Sequence, residues 1–282
     1  MQNLSDISVI RSVLEKHGIN FSKALGQNFL INPSVCPRMA EYSLADENTG
    51  VIEIGAGIGV LTAELAKIAK KVVCVELDTR LLPILDETLA DFDNIEIVNA
   101  DVMKTDLKAL IEEKFQGMDV VVCANLPYYI TSPVITMLLE SRLPIKAVTV
   151  MIQKEASDRL CTPVGSRDSG AITVCTNYYA EVRQLFNVSR GSFMPAPNVD
   201  STVIRLDIRE NPAVAVSDEK KFFRMVKAAF AQRRKTALNS ISSGMGISKT
   251  QVAEALATSG LDENVRAEKL TMQELATLCE NL

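Results

Sequence analysis

The residues best suited to chemistry stand at the ends of apolar runs. The first run, 51–54, leads into Gly55-Ala56-Gly57-Ile58-Gly59, where glycines let a backbone turn tightly and approach a ligand that a Cβ would exclude. Glu76 closes the next run, about 20 residues beyond the loop, where a carboxylate can accept hydrogen bonds from both hydroxyls of a ribose. Asp101, within Asn99-Ala100-Asp101-Val102, closes the third run in the same way. Its carboxylate suits the exocyclic amine of an adenine, with Val102 packing on the ring. The fourth run ends in Asn125-Leu126-Pro127-Tyr128. Asn125 offers a carbonyl acceptor, Pro127 fixes its own φ and restrains Leu126, and Tyr128 supplies an aromatic face. All four positions fall at the carboxyl edge of the expected parallel sheet, where such folds bind ligands.

The loop is not a dinucleotide fingerprint. That pattern wants glycines at 55, 57 and 60, but position 60 is Val60 and the last glycine comes one residue earlier. The resulting GxGxG fits a ligand with no pyrophosphate to seat and resembles the first motif of S-adenosylmethionine-dependent methyltransferases. Asn125-Leu126-Pro127-Tyr128 in turn resembles the Asn/Asp-Pro-Pro-Tyr motif of methyltransferases acting on exocyclic amines. The residue types suit that task. An adenine amine is a poor nucleophile because its lone pair is delocalised into the ring. Two acceptors, the Asn125 side-chain oxygen and the Leu126 carbonyl, would bind its hydrogens and turn the lone pair towards the methyl, while Tyr128 stacks on the base. A base buried in a duplex cannot reach such a pocket, so it must be flipped out or already unpaired.

Positioning these residues takes an alternating chain. Ser5–His17 reads as a helix stopped by Gly18, and Asn32-Pro33 as the cap and first turn of a second. The apolar runs 51–54, 72–75, 95–98, 120–124 and 147–152 are spaced by helical segments, which predicts a parallel sheet covered on both faces. Two later runs, 172–179 and 201–208, have less helix between them and are expected to form an antiparallel edge. Beyond Glu210-Asn211-Pro212 only helical periodicity remains, in about four segments with stops expected at Gly244, Gly246 and Gly260. The expected division is a catalytic domain over 1–211 and a small helical domain over 212–282.

Composition excludes several classes. The chain has 282 residues, 47% hydrophobic and 23% charged, enough apolar side chain for about two folded domains rather than a disordered state. The longest uncharged run, 120–139, is broken by Asn125, Pro127, Ser132 and Pro133 and is no membrane span. No signal peptide is legible at the N-terminus, so a cytoplasmic address is expected. Six scattered cysteines and one histidine give no metal-ligand spacing, and no metal is expected. His17 is expected to serve the end of its helix. The net charge of −5 is unevenly spread: seven basic residues face two acidic ones between Asp218 and Lys235, against two and six over Thr250–Leu282.

The ordered set Lys23-Ala24-Leu25-Gly26-Gln27-Asn28-Phe29-Leu30, Glu53 to Gly59, Glu76, Asn99-Ala100-Asp101, Asn125 to Tyr128 and Phe193-Met194-Pro195-Ala196-Pro197-Asn198-Val199-Asp200-Ser201 resembles the ribosomal RNA adenine dimethyltransferases across essentially the whole chain. Within them it resembles the KsgA-type branch, which dimethylates two adjacent adenosines in a hairpin near the 3′ end of small-subunit RNA. The resemblance implies a Rossmann-like α/β sheet with an antiparallel edge and an all-helical C-terminal domain. It implies S-adenosylmethionine as donor, held by Gln27, Asn28, Leu30, Gly55, Gly57, Glu76, Leu77, Asp101, Val102 and Asn125. It implies catalysis around Asn125, Leu126, Pro127 and Tyr128, with Phe193 sandwiching the base. It also implies an assembling small subunit as partner rather than DNA or membrane, with a late assembly role. The basic residues Lys23, Arg233, Arg234 and Lys235 are expected to contact RNA phosphates, and the chain is expected to act as a monomer. The alternatives are an Erm-type methyltransferase of large-subunit RNA, a non-catalytic RNA-binding assembly factor on the same fold and, less suited to Val60, a nicotinamide dehydrogenase. The acidic tail and the stretch Arg233–Leu238 favour the small-subunit branch.

Overall fold

A computed structural model describes residues 3–19 and 28–282. Its contacts form two compact units, one ending at Ser157 and resumed over Arg183–Ile208, the other comprising Asp158–Val182 and Arg209–Leu282.

The first unit begins with α1 (Ile7–Lys16), capped by the Asp6 carboxylate, which accepts from the Ser8 amide. A two-residue strand β1 (Phe29–Leu30) and α2 (Val35–Tyr42) follow. Then come β2 (Thr49–Ile54), α3 (Val60–Ala66), β3 (Lys71–Glu76), α4 (Leu82–Thr88), β4 (Ile95–Asn99), α5 (Leu107–Lys114), β5 (Asp119–Asn125), α6 (Thr131–Glu140) and β6 (Ala147–Gln153). After α7 (Lys154–Leu160) and α8 (Ala171–Tyr179), the chain adds β7 (Ala180–Val188), the short β8 (Phe193–Met194) and β9 (Ser201–Ile208).

Among the described residues, seven strands share one sheet in the order β4-β3-β2-β5-β6-β9-β7. The pairs among β2 to β6 are parallel, and β9 returns antiparallel against β6. Valine- and isoleucine-rich central strands suit burial on both faces, and Ile52, Val73 and Val122, side by side in register, are fully buried. The chain reverses direction across the sheet between β2 and β5, so the carboxyl ends of those neighbours open onto the crevice where doubly wound folds bind ligands. Close by, Ile10, Val13 and Leu14 of α1 pack with Phe29, Ile58, Leu81 and Ile84. His17 caps α1 as expected and its Nε2 also lies 2.8 Å from the Glu87 carboxylate, which forms an ion pair of the same length with Lys16.

The second unit adds α9 (Glu219–Phe230), α10 (Ala237–Met245), α11 (Lys249–Thr258) and α12 (Met272–Asn281) to α8, matching the expected four helical segments. The division differs from a single boundary at 211/212, because 158–182 packs with this unit. The reason is aromatic: Tyr178 lies 5.4 Å from Phe222 and 5.1 Å from Phe223, and Tyr179 stacks on Phe223 at 5.4 Å.

Three local expectations are corrected. Residues 172–179 form a helix, not an edge strand; the edge belongs to β7. The apolar run with little helix around it suggested a strand, but Thr176 Oγ1 donates to the Ile172 carbonyl at 2.9 Å, Asn177 Nδ2 donates to the Thr173 carbonyl, and Thr173 Oγ1 accepts from the Gly170 amide. Buried Val174, Cys175 and Tyr178 then follow helical spacing. Asn32 accepts from the Ser34 amide and so caps a turn, with α2 starting at Val35. Gly244 is no stop: it lies inside α10 where a Cβ would come within 2.6 Å of Ala228 on α9, while Gly246, at φ +71°, ends the helix.

Candidate functional site

Gly55, Gly57, Glu76, Asp101, Val102 and the Asn125–Tyr128 turn meet at one cleft of about 640 Å³ in the first unit, a size suited to a nucleoside-sized ligand. Its floor is the turn after β2. Gly55 and Gly57 have φ of +76° and +61°, and a Cβ on either would meet nothing within 4 Å. Their requirement is therefore backbone conformation. Gly59 is tighter: at φ +88° a Cβ would come within 2.9 Å of the Leu89 side chain.

Glu76, at the end of β3 and 6% exposed, organises this floor. One carboxylate oxygen accepts from the Gly57 amide at 3.2 Å and the other from the Asp78 amide at 2.8 Å. Burial raises its pKa, and those two amides partly oppose the rise. Each oxygen keeps a further lone pair for a hydroxyl donor. Asp101 follows β4; one of its oxygens accepts from the Met103 amide at 3.0 Å, while the other meets Lys104 only at 3.7 Å. Val102 is buried beside it on the cleft wall.

A third carboxyl, Glu53, stands one residue before the end of β2 and is 1% exposed. Cys74 Sγ donates to it at 3.3 Å. Burial pushes its pKa up to about 7, against hydrogen bonds from Thr62 and Cys74, with Glu76 pushing it further up.

The opposite wall is the turn after β5. Asn125 ends that strand in register with Met151, Leu126 is buried at 1% exposure, and Pro127, at φ −55°, leads into a 3₁₀ turn over Tyr128–Ile130. Tyr128 is half-buried, and its hydroxyl lies 2.8 Å from Ser201 Oγ. Burial raises the phenol pKa, and the Ser201 hydrogen bond opposes the rise. Phe193, 4% exposed, also lines the cleft. Its β8 is held by β1, with Phe193 opposite Leu30, and the Ile31 amide donates to the Ser192 carbonyl at 2.9 Å.

Asn28, Gly55, Gly57, Glu76, Leu77, Asp101, Val102, Asn125, Leu126, Pro127, Tyr128 and Phe193 are thus brought together. Leu30 turns its side chain into the core instead and takes part through strand pairing. Lys23 and Gln27 lie outside the described residues. Arg233, Arg234 and Lys235 are exposed between α9 and α10 of the second unit. Arg233 is 4.0 Å from Asp168 there. Sequence reasoning missed Phe29, Arg80, Met103 and Tyr129 on the cleft wall. Phe29 and Tyr129 adjoin residues that were chosen, and adjacency was the only signal. Among the described residues, no group of three or more potential ligands could hold a metal, and no helix is long and apolar enough to cross a membrane.

The cradle fits the donor that the sequence motifs suggest. An uncrowded backbone floor, the buried carboxylate of Glu76 and the Asp101 carboxylate beside the apolar Val102 all open into one cavity.

Comparisons with known proteins agree with that chemistry. A family model described as "Ribosomal RNA adenine dimethylase" matches residues 18–282. The chain is 48% identical over 276 residues to "Ribosomal RNA small subunit methyltransferase A" of Anoxybacillus flavithermus, covering 96% of this chain and 94% of the relative. It is 46% identical, with the same coverage, to the like-named protein of Bacillus licheniformis. Among solved structures, the 23S rRNA methyltransferase ErmE superposes with a TM-score of 0.68 at 28% identity, over 90% of this chain and 99% of that one. A dimethyladenosine transferase from Plasmodium falciparum gives 0.73 at 24% identity, over 88% and 95%, a likeness of fold.

Proposed function

The chain belongs to the ribosomal RNA adenine dimethylase family, and from that premise we propose that it transfers methyl groups from S-adenosylmethionine to the N6 amines of two adjacent adenosines in a 3′-terminal hairpin of small-subunit RNA. Membership makes it an S-adenosylmethionine-dependent RNA adenine methyltransferase. The finer reading adds the residues and the partner. The observation that carries it is the meeting, in one cleft, of a nucleoside cradle (Glu76, Asp101) with an amine-binding turn (Asn125 to Tyr128) and a second aromatic wall, Phe193.

When bound, the donor supplies an electrophilic methyl on a sulfonium. The chain's own residues do the rest. Glu76 binds the ribose hydroxyls, Asp101 the adenine amine of the donor, and Val102 the face of its ring. Gln27 and Asn28, by resemblance to the family, complete the donor's binding from the N-terminal side. The target base stacks between Tyr128 and Phe193. The Asn125 side-chain oxygen and the Leu126 carbonyl accept from its amine and aim the nitrogen lone pair. No general base is needed, because the nitrogen becomes acidic once methylated and its proton passes to solvent. Catalysis rests on positioning and electrostatics.

Lys23, Arg233, Arg234 and Lys235 are proposed to bind RNA phosphates, which position the substrate without reading its sequence. The proposed setting is a monomer acting in the cytoplasm on an assembling small subunit, with a role late in assembly. The likeness to ErmE supports a second reading, large-subunit RNA as substrate; the near-full-length relatives at 46–48% identity favour the first. The test is incubation with labelled donor and undermethylated small subunits, large subunits or duplex DNA. Dimethyladenosine from small subunits alone supports the proposal; label in large-subunit RNA overturns it in favour of the second reading.

A further inference from the structure

Tyr128 stands on a 3₁₀ turn with no side-chain cap, a weak mount for a ring that must hold a base at a fixed angle. Backbone support comes from the Ile130 amide, which donates to the Pro127 carbonyl at 3.1 Å, and from Thr131 Oγ1, which reaches that carbonyl at 3.5 Å. Neither touches the ring. The phenol is held at its far end, where its oxygen lies 2.8 Å from Ser201 Oγ. Ser201 is fully buried and is the first residue of β9, in register with Gln153 at the end of β6. The residue before it is pinned twice: the Asp200 carbonyl accepts from the Lys154 amide at 3.0 Å, and its carboxylate accepts from the Arg190 amide at 2.9 Å. Ser201 is thus fixed to the main sheet, while Tyr128 belongs to a loop.

The same segment sets the other wall. Phe193 lies between the Arg190 turn and Ser201, and is secured by pairing with β1. One stretch, 190–201, therefore carries one aromatic wall of the cleft and anchors the other. We infer that Ser201 is a positioning residue for methyl transfer: by holding the Tyr128 hydroxyl it fixes the gap between Tyr128 and Phe193, and so the time a base spends aligned with Asn125 and Leu126. This inference rests on the proposed assignment of Tyr128 and Phe193 as the walls around the target base.

The demand on that gap rises between the two transfers. The first forms a nitrogen–carbon bond to the amine, breaks the donor's sulfur–methyl bond and releases one proton to solvent. The intermediate is bulkier by one methyl and has one N–H left, so only one of the two acceptors can still be used. Alignment for the second transfer then depends more on stacking and less on hydrogen bonds. Loosening Tyr128 is expected to slow the second transfer more than the first, and to let monomethyladenosine leave.

The test compares the wild type with Ser201→Ala, Ser201→Thr, Tyr128→Phe and the double variant Ser201→Ala/Tyr128→Phe. Donor affinity, RNA KM, kcat and the ratio of mono- to dimethyladenosine are read on undermethylated small subunits. A net hydrogen bond of ordinary strength predicts a fall in kcat of about five- to tenfold for Ser201→Ala. Donor affinity should stay unchanged and the monomethyl fraction should rise. Tyr128→Phe should match it, the double variant should be no worse than either single one, and Ser201→Thr, which keeps a hydroxyl, should recover most of the wild-type ratio. If Ser201→Ala does not fold, Tyr128→Phe decides by the same readouts. An unchanged product ratio, a proportional loss of donor binding, or additive losses in the double variant overturns the role of Ser201. Absence of transfer by the wild type would instead overturn the functional reading beneath it.

Discussion

Replacing Asn125 by alanine isolates one of the two acceptors proposed for the target amine. The residue ends β5, where pairing with Met151 fixes its backbone, and the next side chain, Leu126, is buried at 1% exposure. The Leu126 carbonyl should therefore stay in place after truncation, so half of the acceptor pair survives. Removing one preorganised group aimed at developing charge costs about 3–4 kcal/mol in comparable sites, or roughly 10²–10³ in rate. Donor binding should change by no more than about tenfold, because the cradle of Glu76 and Asp101 is untouched and one neutral hydrogen bond is worth about 1 kcal/mol net. The assay is a single-turnover methyl-transfer rate at saturating donor, paired with equilibrium binding of the donor alone. Asn125→Asp keeps an acceptor oxygen and should lose less. A rate within about fivefold of wild type for Asn125→Ala, or a rate loss matched by lost donor affinity, would refute the acceptor assignment.

Glu76→Ala removes the acceptor proposed for the ribose hydroxyls together with the anchor of the Gly57 and Asp78 amides; donor Kd should rise about 10–100-fold by calorimetry. Because burial raises the Glu76 pKa, wild-type donor affinity should begin to fall, as pH is lowered, above the range in which a free glutamate titrates, and Glu76→Gln should lack that dependence. Glu53 has its folded pKa raised from 4.5 to about 7, so the unfolded chain releases the proton first as pH rises through that window. Stability should therefore fall between those values by up to roughly 3 kcal/mol and level off above. Melting curves at pH 5 and 8 should show a smaller difference for Glu53→Gln than for the wild type, and an equal difference would contradict the buried-acid assignment. Alanine at Arg233, Arg234 and Lys235 together should reduce the slope of log affinity against log salt by about 2 on single-stranded RNA, with kcat at saturation nearly unchanged; an unaltered slope would remove these residues from the interface.

What the sequence made legible follows from where the chemistry sits. Glu76, Asp101 and Asn125 each terminate an apolar strand, and a parallel sheet delivers its strand ends to one edge. Local pattern was therefore enough to predict that the three would meet. The glycine turn was legible because Gly55, Gly57 and Gly59 all take positive φ. Longer-range features left no such trace. Leu30, a donor contact by the family resemblance alone, is buried opposite Phe193, a pairing distant in sequence that no local pattern announces. Residues 172–179 form an apolar run that suits a strand, and it is the packing of Tyr178 on Phe222 and of Tyr179 on Phe223, distant in sequence, that places them as a helix of the second unit. Ser201 is separated from Tyr128 by 73 residues, and no spacing rule links the two. Glu53 was visible only as part of a motif; its burial, and so its raised pKa, depends on the helix and strand that cover it.

The most direct test is a crystal structure of the protein with a bisubstrate compound joining the donor's nucleoside to the N6 of adenosine. The expected result is a donor ribose on Glu76, its adenine amine on Asp101, and the target base between Tyr128 and Phe193 with N6 within hydrogen-bond distance of Asn125 Oδ1 and the Leu126 carbonyl. A target base bound outside that gap, or a donor nucleoside that leaves Glu76 and Asp101 without contact, would contradict the assignment of the cleft.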